Sequence, residues 1–489
     1  MSIQLYKVFE DVMLPRSAHP VPNQNRFRVI RQKYSKLVLM VWPNGRPCHL
    51  ANQWLMEKSS SSPGTDTPTT YAGQITHILR FCYSRQLDIW DINDLLLKDF
   101  ASYLTETMKI SRHGTDSARS INHVKAIQQR TLNFLLYISR NVPCTESRRL
   151  IGKEGQGCQI TVDFRVNTYT GKTYIHHPYF VTEDPKPYHN DKIPMPDEFI
   201  QLIQNDIFRR HNLSELPDKS KLKQINDPDR FRVTNEYLFE RRMFVIRMMK
   251  LAGLRPEELI NIPLELNTAT LTDLFILIPT MKREKPAPLR KFYISRHDAL
   301  AFNRYVKART RFKEFLEKTE THKSTSNAIL LTESGTALRK ESITKEFARL
   351  CTSAGITDSR ACLSMFRHRF ISREIHILLL EAFEKTPSLK EHWTEAFRDD
   401  ICHKVARKTG HANAESIWVY FHEEYKLTTG RPDREKMIRN RDRIDSCHES
   451  LVYLKMKQSL SPSQSTDARI EHIENLIDQL CDDLDNGNM

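Results

Sequence analysis

The feature that most constrains this chain is helical periodicity that keeps recurring over hundreds of residues and is rarely replaced by alternation. Thr67 to Ser84 sets Tyr71, Ile75, Ile78, Leu79 and Phe81 on one face of a helix. Ile89 to Glu106 does the same with Ile92, Leu95, Leu96, Phe100 and Leu104. Ser117 to Arg140 repeats it with Ile121, Val124, Ile127, Leu132, Phe134, Leu135 and Ile138. Arg119, Lys125, Arg130 and Arg140 interleave with these apolar positions. Such a pattern predicts a compact helical module with basic outer faces, able to lie against a duplex through phosphate contacts.

The exceptions to the helical rule are short. Ser35 to Trp42 and Ile160 to Val166 read as strands. Thr272 to Pro279 and Arg290 to Ile294 read as a second pair of strands, joined by the basic turn Met281-Lys282-Arg-Glu-Lys285. The fold expected is therefore mainly α with a small antiparallel β-sheet. Ser59 to Pro68 is a linker by composition, and Asp184-Pro-Lys-Pro-Tyr-His is another. His176, His177 and His189 lie near the latter without metal-ligand spacing, and read as ordinary linker histidines.

Chemistry-bearing residues concentrate in the second half. Asn235 to Leu254 is a long amphipathic helix that stops at Gly253-Leu-Arg255. Pro256 then opens a new helix with two acids behind it. Asp298 to Lys318 and Leu338 to Ala354 are further helices. Leu363-Ser364-Met-Phe-Arg367-His368 runs into another that lasts through Leu380. Glu391 to Lys408 delivers the chain to Gly410-His411. A polar run then opens a helix, with Asn413 or Glu415 serving its start, and that helix carries Tyr420. Pro432 to Lys457 is helical. Ile470 to Leu484 is a short acidic helix with an apolar seam, fit either to dock on a neighbouring subunit or to cap its own domain.

The formal net charge is +14 over 489 residues, which favours a polyanionic partner, most simply nucleic acid. The nine cysteines include no C-x-x-C pair, so neither a disulfide framework nor a zinc site is indicated, and a reducing cytoplasm fits. No apolar run reaches membrane-spanning length, and the N-terminus lacks the layout of a secretion signal. No nucleotide-binding glycine motif occurs, so no cofactor is expected.

Four basic stations thus precede one tyrosine: Arg255, Lys282, Arg367 and His411, then Tyr420. Two arginines can grip the non-bridging oxygens of one phosphodiester, where charge accumulates in a displacement at phosphorus. A lysine near the leaving 5′ oxygen can supply its proton. A histidine can bond an oxygen or assist the tyrosine. The tyrosine can then form a 3′-phosphotyrosyl link that keeps the bond energy for religation.

On these residues the chain resembles the tyrosine recombinases of the phage-integrase class. The likeness rests on Ala252-Gly-Leu-Arg255-Pro-Glu-Glu-Leu, on Phe366-Arg367-His368-Arg-Phe, and on Thr409-Gly-His411 running to Tyr420-Phe-His422. It covers roughly residues 67 to 425. It implies a two-lobed DNA clamp: an N-terminal extension (1–58), a helical core-binding, SAM-like domain (67–142), a linker region (143–190), a catalytic domain (191–430) and a helical tail (431–489). It further implies Arg255 and Arg367 as the phosphate clamp, Lys282 as general acid with Lys285 as second choice, His411 as the late histidine and Tyr420 as nucleophile. The implied activity is site-specific recombination by a homotetramer on double-stranded DNA in the bacterial cytoplasm, serving integration or excision of a mobile element, with accessory proteins as candidate partners. Two departures stand out. Ser364 occupies the position where the family usually has a histidine; either this change tunes activity or His368 helps from the other side. The stretch from Arg367 to His411 is long, with an apparent inserted loop at Lys385 to His392. Tyr425 is a competing nucleophile at the wrong spacing. The rival activities are a type IB-like topoisomerase and a non-catalytic DNA-binding regulator on the same scaffold.

Overall fold

The computed structural model describes residues 4–20, 26–61, 66–106, 119, 121–142, 149–166, 173–180, 193–212, 227–281, 287–319, 325–357, 361–430 and 434–485. Side chains at 18, 430–440 and beyond 482 are outside that description. The chain is mainly helical, with four two-stranded sheets among the described residues, and divides into two compact units, Met1–Asn190 and Asp191–Met489. No helix among the described residues is long and apolar enough to cross a membrane.

The first unit opens with a long antiparallel hairpin, β1 (Tyr6–Pro20) with β2 (Phe27–Met40). The strand expected at Ser35–Trp42 is the proximal end of β2, which runs further than the apolar residues alone indicate. The helix His49–Ser61 packs on β2 and brings Trp54 into the core, its ring 5.6 Å from Tyr71 and 5.3 Å from Phe134. The next helix spans Thr67–Ser84, opened by Pro68. The single helix expected over Ile89–Glu106 is broken. Asp88 caps a short turn at Ile89–Asp91, and Asn93 Oδ1 accepts from Leu96 N at 3.0 Å to start Asp94–Glu106. Side chains that bond their own backbone interrupt the periodicity here. The Ile121–Asn141 helix closes the bundle, its start falling later than the expected Ser117. Strands β3 (Ile151–Gly152), β4 (Ile160–Thr161), β5 (Asp163–Val166) and β6 (Thr173–His176) follow. Ile151, Ile160, Val162 and Ile175 join the helical core. His177 is buried with Nε2 2.8 Å from Asp94 Oδ1, so it fastens this region to the bundle and is no loose linker residue. His189 and the Asp184–His189 linker fall outside the described residues.

The second unit is built around the helix Pro228–Ala252. Asp227 accepts from Arg230 N at its start and Pro228 occupies its first turn, so it begins before the expected Asn235. The helices Asp197–His211, Arg296–Thr319 and Leu363–Lys385 pack on it, with Lys340–Ser353 beside them. β7 (Phe275–Pro279) and β8 (Leu289–Tyr293) pair antiparallel, with Ile276 and Ile278 in the core. The turn expected to carry Lys282 and Lys285 lies outside the described residues. A second core forms where Glu395–Thr409 and Trp418–Gly430 meet Leu363–Lys385, around Ile371, Ile375, Val405, Ile417 and Phe421. The presumed inserted loop is a short turn, Pro387–Lys390, whose Leu389 and Lys390 carbonyls each accept from Tyr425 Oη at 2.8 Å. Arg434–Leu460 returns across the unit, and Gln464–Asp485 folds back along it, with Lys455 bridging Glu474 at 2.8 Å. Within the single chain the seam residues Ile470, Ile473 and Ile477 are half-buried and Leu480 is buried.

Candidate active site

Two left-handed glycines bring the site together. Gly253 ends the Pro228–Ala252 helix at φ +55°, and Gly410 ends Glu395–Thr409 at φ +69°. Both also sit in close quarters. A Cβ on Gly253 would stand 2.7 Å from Phe370 Cβ, and one on Gly410 would stand 2.8 Å from Thr280 Cγ2 and 3.1 Å from Arg290 Nη1. Only glycine accepts both the backbone angle and the approach.

Immediately after these turns come Arg255 and His411. Arg255 is half-buried at the start of Pro256–Ile260, its Nη1 2.9 Å from Glu258 Oε1. Arg367, on the second turn of Leu363–Lys385, is buried. It donates from Nη1 to Gly253 O at 2.9 Å and from Nη2 to Thr409 O at 2.8 Å, so it ties the two glycine turns to each other. Arg367 Nη2 also reaches His411 Nε2 at 3.2 Å. His411 Nδ1 lies 2.6 Å from Thr409 Oγ1, and that hydroxyl donates to Val405 O at 2.8 Å. This chain of donors leaves His411 Nε2 as the acceptor from Arg367, with the ring proton on Nδ1.

Two residues that motif reasoning missed complete the cluster. Glu258 is fully buried and shared. Its carboxylate lies 2.9 Å from Arg255, 3.0 Å from Arg290 Nη2 and 3.8 Å from Arg367 Nη1. Arg290 projects from β8 and also bonds Thr280 Oγ1 at 3.1 Å. Three guanidiniums around one carboxylate leave net positive charge in a secluded place. Burial, reinforced by the neighbouring Arg255 and Arg290 and opposed by Glu258, pushes Arg367 down to about 10. It remains a cation at neutral pH, at an energetic cost that an arriving anion would relieve. Glu258 was visible only as one of two acids behind Pro256, and Arg290 only as a strand residue.

Tyr420 sits on the third residue of Trp418–Gly430, behind an Asn413 cap whose Oδ1 accepts from Glu415 N at 3.0 Å. Its side chain is buried and its hydroxyl bonds His368 Nδ1, the two rings lying 5.8 Å apart and nearly parallel. Burial pushes the Tyr420 hydroxyl well above the usual tyrosine range, against the pull of Arg367. His368 follows Arg367 directly, so one helical step aims the guanidinium at the glycine turns and the imidazole at the tyrosine. Ser364 is exposed and lies 2.9 Å from Cys362 Sγ. Of the residues singled out by sequence, Arg255, Arg367, His411 and Tyr420 thus belong to one neighbourhood. Tyr425 faces away onto the Leu389 and Lys390 carbonyls.

No protein-family model matches the sequence, and no curated protein matches it either. Similar solved structures do exist. One is the XerH site-specific recombinase bound to a palindromic difH substrate, at 16% identity, TM-score 0.40, over 78% of this chain and 84% of that one. The Tn1549 transposon integrase in complex with transposon right-end DNA aligns at 13% identity and TM-score 0.40, over 76% and 94%. A lambda integrase dimer bound to a COC′ core site aligns at 11% identity and TM-score 0.37, over 75% and 95%.

Proposed function

We propose that this chain is a tyrosine recombinase that cuts and rejoins duplex DNA through a 3′-phosphotyrosyl intermediate. The observation that carries the proposal is the triple guanidinium cluster on Glu258 beside the buried Tyr420 and its half-buried partner His368. An under-compensated cation cluster is a receptor for a phosphodiester, and a tyrosine hydroxyl with an imidazole on its oxygen is a nucleophile with a proton acceptor.

In this reading Arg255 and Arg367 hold the two non-bridging oxygens, and Glu258 with Arg290 fixes their forks. His411 accepts from Arg367 at Nε2 and so orients that guanidinium toward the phosphate. Tyr420 Oη attacks phosphorus and gives its proton to His368, the P–O5′ bond breaks, and the 5′ oxygen leaves with a proton from Lys282 or Lys285. Rejoining reverses these steps with a 5′ hydroxyl as nucleophile, so no outside energy source is required. His368 takes the place of the histidine that Ser364 lacks. The helical module at 67–142 grips the duplex with its basic faces, the 191–430 region performs the chemistry, and four copies act on two sites in the cytoplasm, at the nucleoid. Mobile-element integration or excision is the biological setting favoured.

The test is topological. A plasmid carrying two copies of the DNA that flanks the coding sequence is incubated with the protein. Deletion or inversion between the copies is the expected result. Relaxation of a plasmid lacking those sites would point instead to a topoisomerase, and site-specific binding without any strand breakage to a non-catalytic regulator.

A further inference from the structure

The second unit holds a pocket walled by arginine, apart from the cleavage site. It lies where Asp197–His211, Pro228–Ala252, Lys340–Ser353 and the turn at 332–336 meet, and its volume is about 470 Å³. That size falls within the range of small-molecule sites. Arg241 and Arg242 are neighbours on one helix, and both reach Glu346. Arg241 Nη2 lies 2.8 and 2.9 Å from the two carboxylate oxygens, and Arg242 Nε lies 2.7 Å from one of them. Arg241 is only 5% exposed and donates from Nη1 to Leu331 O at 2.7 Å, so the fold fixes its fork. Arg242 Nη1 donates to His211 Nε2 at 2.5 Å, and that imidazole is neutral and offsets no charge.

The charges around the pocket do not cancel. Arg210 is matched by Asp206 at 2.7 Å. Arg349 is exposed at the mouth, and among the described residues its side chain forms neither an ion pair nor a hydrogen bond. Of the lining carboxylates, Glu346 is shared by two guanidiniums and Glu333 stands exposed at the rim. Three arginines thus face one inner carboxylate, and the Ser334 and Ser342 hydroxyls beside them can donate as well. Guanidiniums in excess of their carboxylates bind phosphoryl oxygens in bidentate fashion. Duplex DNA is the other polyanion to weigh, but its phosphates ride on a convex cylinder. They would meet Arg349 at the rim and stop short of the buried Arg241. The pocket also stands away from the cleavage chemistry, since Ala252 follows Arg241 by 11 residues on one helix, about 17 Å at roughly 1.5 Å per residue.

We infer that this pocket binds a small phosphomonoester, with its phosphoryl oxygens on Arg242 and Arg349 above the fixed Arg241–Glu346 pair. The remaining volume accommodates the esterified body.

The test is calorimetric titration of the full chain with inorganic phosphate and with adenosine 5′-monophosphate. Both should bind, the ester at least as tightly as the free ion, and adenosine should not. Arg349→Glu, and separately Ser342→Glu, should weaken both by at least about tenfold, the loss of one charge-assisted contact. Arg255→Gln, at the cleavage site, should leave this affinity unchanged. No phosphate binding at millimolar concentration overturns the inference. So does binding that survives both pocket variants, binding lost in Arg255→Gln alone, or an ester that binds more weakly than the free ion. A random-sequence duplex that loses affinity in Arg349→Glu, with the phosphate titration unchanged, would make the pocket part of a DNA surface and overturn it too. Should the variants misfold, hydrogen exchange on the unaltered protein decides: phosphate slows the amides of residues 331–338, or the inference fails. None of these outcomes turns on whether Tyr420 cleaves DNA.

Discussion

Arg367 and Arg369 stand two residues apart on one helix and lead opposite lives. Arg369 belongs to a balanced network, with its Nη2 2.6 Å from Asp197 and 3.1 Å from Asp445. Nearby, Arg247 lies 2.7 Å from Glu449 and 3.1 Å from Asp298, and Lys250 is 3.6 Å from Asp445. Three cations there meet four carboxylates. Around Arg367, among the described residues, three guanidiniums meet one carboxylate, Glu258. The first cluster is finished as it stands and holds the Arg434–Leu460 helix to the unit. In the proposed function, the second is completed by the phosphodiester. Buried arginine is therefore a poor marker of function, whereas buried arginine short of carboxylate is a good one.

Substitutions should separate the two clusters. Arg367→Ala should lower cleavage by about a hundredfold to a thousandfold, as loss of one preorganised donor does. The rate of adduct formation on a nicked duplex measures this, and an equal loss in Arg369→Ala would erase the distinction between the neighbours. Arg247→Met should instead cost stability, about 3–5 kcal/mol, because Glu449 and Asp298 lose their partner inside the protein. Urea unfolding reads that cost, and the adduct rate per folded molecule should stay unchanged.

Much of the architecture is legible in the sequence because it follows from one periodicity. Thr67–Ser84 has the expected bounds, with Ile75, Ile78, Leu79 and Phe81 of its expected face buried and Tyr71 half-buried. The glycine stops at Gly253 and Gly410 also stand where their motifs imply. What escaped did so for local reasons. Asp88 and Asn93 cut a helix with side-chain bonds that periodicity does not register. Arg290 and Glu258 meet across 32 positions of chain, and no short motif joins a strand residue to a helix residue. His368 was noticed as a neighbour of Arg367, but its bond to Tyr420 spans 52 positions and depends on the packing of two helices.

Smaller effects sharpen the picture. His211 is held neutral, donating to Asn235 Oδ1 at 2.6 Å and accepting from Arg242, and burial with Arg242 beside it lowers it to about 4. The unfolded chain binds that proton near pH 6.5 and the folded one does not. Its contribution is therefore complete above pH 6.5 and lost as pH falls toward about 4, on the order of 3 kcal/mol. Comparing the pH dependence of unfolding with that of His211→Gln checks it, since the variant should lose stability less steeply over that window. Gly410→Ala should cost about 1–2 kcal/mol from backbone handedness alone. Its crowding of Thr280 and Arg290 should lower cleavage further, a change measured in the same adduct assay. Tyr425→Phe removes one hydroxyl from two carbonyls, for about 1 kcal/mol in thermal unfolding, and should leave the adduct untouched.

The central claim is that Tyr420 attacks a phosphodiester held by the arginine cluster. The most direct measurement is covalent trapping: the protein is incubated with nicked duplexes drawn from its flanking DNA, denatured, and the linked peptide identified by mass spectrometry, with Tyr420→Phe alongside. The account predicts an adduct on the peptide containing Tyr420 and none from the variant, which should still bind the duplex. An adduct that persists in Tyr420→Phe, or specific binding with no adduct from the intact protein, would contradict it.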